Sequence, residues 1–275
     1  MIILQRWYRG GVPTGWHLLG EGMAVAVGGT LFAVWLFPAE VSLISVFLAA
    51  ISTTDSIERI LDWNRRLIFE EGVAPRTANA KLVLLVLPLF MGTMLGFSIF
   101  GLTLPFEELG TLFSHQVEEY QDQRFTSMRF GSVGALVGTN LYVLLFFFAI
   151  AVPFRQGGVM LAVAWNASVW GAIFGYLARD WASHGGPGLM SAYLRVIGAC
   201  FPHMAMEAAA YVLAGFAGVF MSKGLLKYSL DSVPILSITR SVCAMLAMGL
   251  GLVVLGALWE ANVAPYMVGF LSKSP

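Results

Sequence analysis

Two acidic residues stand inside apolar stretches of this chain: Glu207 in FPHMAMEAAAYVLAGFAG and Glu260 in LGALWEANVAP. A carboxylate in hydrocarbon costs several kcal/mol, so an acid in such surroundings needs a polar partner and marks a candidate functional site. His203 lies one helical turn before Glu207, and at i and i+4 the two side chains share a helix face. Pro202, immediately before them, removes a backbone N–H and predicts a kink. Two kinds of chemistry fit this pair. One is proton relay or ion binding; the other is a structural clamp in which imidazole, carboxylate and the carbonyl freed by proline satisfy one another.

Hydrolytic chemistry has little support. A zinc-protease helix needs H-E-x-x-H and a serine hydrolase usually offers G-x-S-x-G, and neither occurs. The sequence holds no P-loop, dinucleotide fingerprint, nucleic-acid motif or C-x-x-C metal spacing. It therefore predicts a protein that is not an enzyme and needs no cofactor, metal or nucleic acid. Cys200 and Cys243 both fall in apolar segments, where a thiol behaves as a small hydrophobe.

Composition decides the broad class. Hydrophobic residues make up 58% of the chain and charged residues 12%, with a mean hydropathy of +0.77, which is too little polar surface to coat a soluble globule. Apolar runs long enough to cross a bilayer point to an all-α polytopic helix bundle. Sixteen basic and sixteen acidic side chains cancel, so bulk charge draws the chain to no particular partner.

Seven apolar elements are expected to position the acids. The first two, about Gly22 to Phe37 and Val41 to Ile51, are short for a span of about 20 residues and read as a tight hairpin divided by Pro38. DSIERILDWNRRLIFEEG follows, with Asp55 as a candidate cap and Ile57, Ile60, Leu61, Leu67 and Ile68 at near-helical spacing. It reads as an amphipathic helix on the membrane surface or against a partner. Residues 1–81 thus form a leading unit, and residues 82–275 a core of about five spans: Leu82 to Leu104, Ser132 to Val152, Val159 to Ala178, Ala192 to Met221 and Ser241 to Val263.

A polar stretch at about 106–126 interrupts that core and reads as an extramembrane helix. Over Glu107 to Gln123 it carries an apolar stripe of Leu109, Leu112, Phe113, Val117 and Tyr120. That stripe suits either a partner or the protein's own bundle. The aromatic, glycine-rich N-terminus lacks a small-residue cleavage site after its apolar run and is expected to be retained.

Basic residues favour the cytoplasmic side of a membrane. With seven crossings, Arg6, Arg9, Arg59, Arg65, Arg66, Arg76, Lys81, Arg155, Lys223, Lys227 and Arg240 fall on one side, and Arg124, Arg129, Arg179, Arg195 and Lys273 on the other. Eleven against five predicts a multi-pass cell-membrane protein with a cytoplasmic N-terminus. Asn140 and Asn166 need partners within the protein and are candidate helix–helix contacts. Gly92 and Gly96, Gly134 and Gly138, and Gly171 and Gly175 have the spacing that lets helix backbones approach, either within one chain or between two copies.

These residues resemble the stage II sporulation protein M family of polytopic membrane proteins. Pro202-His203-Met204-Ala205-Met206-Glu207 is similar to its P-H-G-x-x-E motif, with Met204 at the glycine position, and Ala214-Gly215 with Gly218 follows as in its A-G-x-x-G continuation. Glu260-Ala261 with Pro265 resembles the E-A-x-x-x-P ending, and Asn140, then Asn166, Gly171 and Gly175, fall where the family has two asparagine-led helices. The resemblance covers about Leu82 to Pro265. It implies a membrane scaffold that organises a membrane or cell-envelope complex, with envelope-remodelling proteins, a cytoplasmic ATPase or a second copy as partners. The alternative, from a different class, is a transporter or channel subunit with His203, Glu207 and Glu260 as a polar pathway.

Overall fold

The computed structural model describes residues 13–117 and 130–273, and its regular structure there is entirely helical. Helices α1 (Gly15–Leu36) and α2 (Val41–Ser52) form a hairpin, α3 (Thr54–Phe69) continues α2, and α4 (Pro75–Thr103) is the first long span. Two short helices, α5 (Phe106–Leu112) and α6 (Ser114–Val117), precede α7 (Val133–Phe154), α8 (Gln156–Ser183), α9 (Leu189–Lys227), α10 (Val233–Asn262) and α11 (Ala264–Lys273). Among the described residues, seven stretches are long and apolar enough to cross a membrane: α1, the α2–α3 pair, α4, α7, α8, α9 and α10. The chain is therefore a polytopic membrane protein in contact with lipid.

The leading hairpin is longer than its apolar runs. Thr14 accepts a hydrogen bond from the His17 N–H and starts α1 at Gly15, which gives it 22 residues. Its partner continues through Thr53, whose hydroxyl donates to the Ala49 and Ala50 carbonyls and so satisfies the groups at the break between α2 and α3. Thr53 holds the N-cap position of α3, and Asp55 lies in its first turn instead of capping it. Ile57, Ile60, Leu61 and Leu67 of α3 are buried on the protein's own bundle, chiefly against α4 and α8.

Glycines set the spacing of the inner helices. A Cβ at Gly92 would fall on the Leu19 carbonyl, and one at Gly96 would lie 2.7 Å from Ala26 Cβ, so α1 and α4 touch backbone to backbone. Gly171 and Gly175 of α8 meet α4 in the same way, with Ser98 O 2.7 Å from a Cβ built at Gly175. Both of these glycine pairs are spent inside the chain. Gly134 and Gly138 of α7 have open space where a Cβ would stand. On α9, Gly215 faces Val159 of α8 and Gly218 faces Phe148 and Ala151 of α7.

The polar stretch after α4 does not form one helix. It breaks at Phe113, and Leu109, Phe113, Gln116 and Val117 are buried at 2% exposure or less against α2, α4 and α8. Phe113 packs edge-on to Phe97, and Arg179 of α8 donates to the Leu104 carbonyl where the segment leaves α4. Most of the expected apolar stripe thus closes on the bundle and is not free for a partner. Tyr120 and the remainder of the stretch, together with Arg6, Arg9, Arg124 and Arg129, lie outside the described residues.

Substituting alanine at Gly92 should force α1 from α4 and cost about 1–3 kcal/mol. The same change at Gly134, where the space is open, should leave stability unchanged or slightly raised. Thermal unfolding of the two variants in detergent, followed by tryptophan fluorescence, checks the contrast. Equal losses at both positions would refute the assignment of Gly92 to the inner seam.

Candidate functional site

Helix α9 carries Cys200, His203, Glu207 and Tyr211 at spacings of three, four and four, which align them along one face. The helix runs unbroken from Leu189 to Lys227 through Pro202, so the proline removes one backbone hydrogen bond without ending the helix. Helix α7 lies parallel to α9, with Asn140 beside Glu207 and Tyr211 and with Ala151 beside Gly218. Helix α10 lies antiparallel on the same face: Gly249 approaches Ala210 and Gly256 approaches His203 and Glu207.

The centre of the site is a chain of three side chains. Asn140 Nδ2 donates to Glu207 Oε1 at 2.7 Å, and the Tyr211 hydroxyl donates to Asn140 Oδ1 at 2.8 Å. One amide therefore serves both a carboxylate and a phenol, and it ties α7 to α9 through two hydrogen bonds. Glu207 keeps only 6% of its surface exposed. Phe147 of α7 packs edge-on to the Tyr211 ring.

His203 does not take the place expected for it. The hydrogen bond to Glu207 comes from Asn140, while His203 Nδ1 is buried and has no partner among the described residues. An amide on a parallel helix reaches the carboxylate directly and forms the bond without desolvating a second ionisable group. Glu260 stands one turn beyond Gly256 on α10, half-buried and within electrostatic range of Glu207. Of the three, Glu207 is buried, while His203 and Glu260 are partly exposed. A Cβ at Gly256 would stand 3.6 Å from both Glu207 Cγ and the His203 carbonyl, an ordinary contact distance, so α10 passes close to α9 here without depending on the glycine.

Asn166 behaves differently from Asn140. Its amide donates to the Ala162 carbonyl of its own helix. Met204, at the position of the motif glycine, is buried in the core. Pro265 falls in the first turn of α11, whose Ala264 and Val268 are buried against α9 and α10.

A second polar cluster joins α6 to the bundle. Ser42 Oγ donates to Gln116 Oε1 at 2.5 Å, and Gln116 Nε2 donates to the Ser42 carbonyl at 3.2 Å and to Ser168 Oγ at 3.3 Å. Ser168 lies fifteen residues before the end of α8 at Ser183, about 22 Å along the helix. Residues 106–117 thus fold back along the bundle. Sequence reasoning missed Tyr211 and Gln116 for different reasons. Tyr211 carries the i+4 signal from Glu207, whereas Gln116 sits in a polar stretch where one buried glutamine looks like its exposed neighbours.

Comparison with protein-family models, with curated proteins and with solved structures finds no match to this chain.

Replacing Asn140 by leucine should cost about 1–3 kcal/mol, because it leaves the Glu207 carboxylate and the Tyr211 hydroxyl buried without a partner. Adding Glu207→Leu to that variant should cost much less than the two single losses combined, since the orphaned group is then gone. Denaturant or thermal unfolding of the four proteins in detergent measures the coupling. Strict additivity would mean that the hydrogen bond contributes nothing to holding α7 on α9.

Proposed function

We propose that this protein is a non-enzymatic integral membrane scaffold of the stage II sporulation protein M type, which holds a membrane or cell-envelope complex together. The observation that carries this reading is the state of Glu207. The most deeply buried acid in the bundle is engaged by Asn140, closed off from solvent and placed where it joins two helices. A group used in this way acts as a clamp.

The outer helices support the same reading. Helices α7 and α10 bury only 22% and 33% of their apolar windows, so most of their surface is left for lipid or for another protein. The open glycines Gly134 and Gly138 lie on α7 and suit close approach by a helix of a second copy. Envelope proteins or a cytoplasmic ATPase are the other partners this reading includes.

A transporter or channel subunit is the second reading, and one observation favours it: His203 Nδ1, one turn from Glu207 on the same face, is buried without a partner among the described residues. The two readings diverge at Glu207→Gln. An amide still hydrogen-bonds, so the scaffold keeps its co-purifying partners when the variant is isolated from native membranes. Loss of activity in a folded, fully expressed Glu207→Gln protein would instead identify a proton or ion pathway and overturn the scaffold reading.

Orientation is part of the proposal. The basic residues of α3, α4, α9 and α10 gather at one end of the bundle, and we place that end in the cytoplasm. Cysteines introduced near Arg65 or Lys227 should resist an impermeant thiol reagent in intact cells and react after permeabilisation. Ready labelling of intact cells would reverse the orientation.

A further inference from the structure

At the basic end of the bundle, α3, α4, α9 and α10 enclose a cleft of about 520 Å³ that lies away from the Glu207 site. Its charged lining is Arg65, Lys223 and Lys227 against Asp62 alone. Arg65 approaches Asp62 at 3.9 Å with both side chains mostly exposed, a weak pairing. Neither lysine has a carboxylate within 4.0 Å among the described residues, and Lys227 Nζ sits 5.5 Å from the centre of the Tyr228 ring. Beneath these charges, Asn64 donates to Asn79 at 3.3 Å, which places two amides in the wall. Ile68, Phe220 and Ile238 supply apolar wall, and Ser237, Ser241 and Tyr228 add hydroxyls.

We infer that this cleft binds the phosphate headgroup of an anionic phospholipid. Positive side chains set above an apolar wall, between the ends of membrane helices, match a negatively charged headgroup whose acyl chains continue along the helices. Apolar side chains also stand next to Lys223 and Lys227 along the chain. Leu225, Leu226, Leu230, Val233 and Leu236 at the α9–α10 corner are all exposed, and Leu230 and Val233 retain 74% and 83% of their surface. A soluble phosphate compound would find the same cations but would leave that surface uncovered. The excess of basic over acidic lining residues supplies the charge complementarity, and the adjoining apolar corner selects lipid over a free anion. The inference needs only the membrane location of the bundle and stands apart from the scaffold reading.

The test uses the full chain purified in a neutral detergent, stripped of lipid, and titrated with phosphatidylglycerol or phosphatidylcholine while native mass spectrometry reads lipid occupancy. The wild type should retain phosphatidylglycerol in preference to phosphatidylcholine. Lys223→Gln combined with Lys227→Gln should weaken phosphatidylglycerol retention about thirtyfold, given about 1 kcal/mol for each basic side chain beside an anionic lipid. Arg155→Gln serves as the control, because Arg155 is an exposed cation on the α7–α8 corner outside the cleft. It should bind as the wild type does. If the double variant fails to elute as a folded protein, Arg65→Gln is read in the same way and should weaken retention several-fold. Equal retention of the two lipids, or retention untouched by the cleft variants, overturns the inference. Displacement of the lipid by millimolar inorganic phosphate also overturns it, by assigning the cleft to a soluble anion.

Discussion

A polar atom enclosed among apolar helices has no water to bond with, and the arrangement of this bundle follows from that constraint. Most of its buried hydroxyls answer locally. Thr30, Thr93 and Ser98 donate to carbonyls four residues earlier in their own helices and so impose nothing on their neighbours. Longer polar side chains answer across helices. Asn140 can satisfy Glu207 and Tyr211 only if α7 lies parallel to α9 at one register, and Gln116 can reach Ser42 and Ser168 only if α6 folds back between α2 and α8. The two clusters therefore fix elements that apolar packing alone would leave free to slide.

Close contact between backbones supplies the rest of the cohesion. Lipid tails are as apolar as the helix surfaces they replace, so helices in a bilayer associate through tight packing and interhelical hydrogen bonds. Helix α4 uses Gly92 and Gly96 toward α1 and receives Gly171 and Gly175 from α8, which makes it the axis of one half. Helix α9 is the axis of the other, with Gly215 toward α8, Gly218 toward α7 and its polar face toward α10. Helices α7 and α10 flank α9 and turn most of their apolar surface outward.

The middle and the C-terminal end of α9 differ in chemistry. Glu207 lies twenty residues before Lys227 on α9, about 30 Å along the helix. The acidic seam and the basic cleft are thereby well separated along the helix that both share. Enclosed hydrogen bonds at one place and an excess of cations over carboxylates at the other suit different tasks, internal clamping and contact with a charged surface. Helix α9 links them mechanically, since it contributes Glu207 to the first and Lys223 and Lys227 to the second.

Composition and hydropathy by themselves determined the class of this protein, because 58% hydrophobic residues arranged in seven long runs have no soluble way to hide. They also singled out Glu207 and Asn140, since a long polar side chain in an apolar run is anomalous wherever it occurs. Local spacing went no further than single helices. It paired Glu207 with His203 because i and i+4 are the only neighbours a one-dimensional pattern can offer, whereas Asn140 lies 67 residues away and arrives through the parallel packing of α7 on α9. The same limit hid the inward packing of the segment around Gln116: its polar residues outnumber the few, Leu109, Phe113 and Val117, that turn inward. Glycine spacing was equally visible at Gly92, Gly134 and Gly171, yet only the folded chain shows which pairs meet a backbone and which face open space. Periodicity places a residue on a face of its own helix, and the identity of the neighbour across that face is decided by long-range packing.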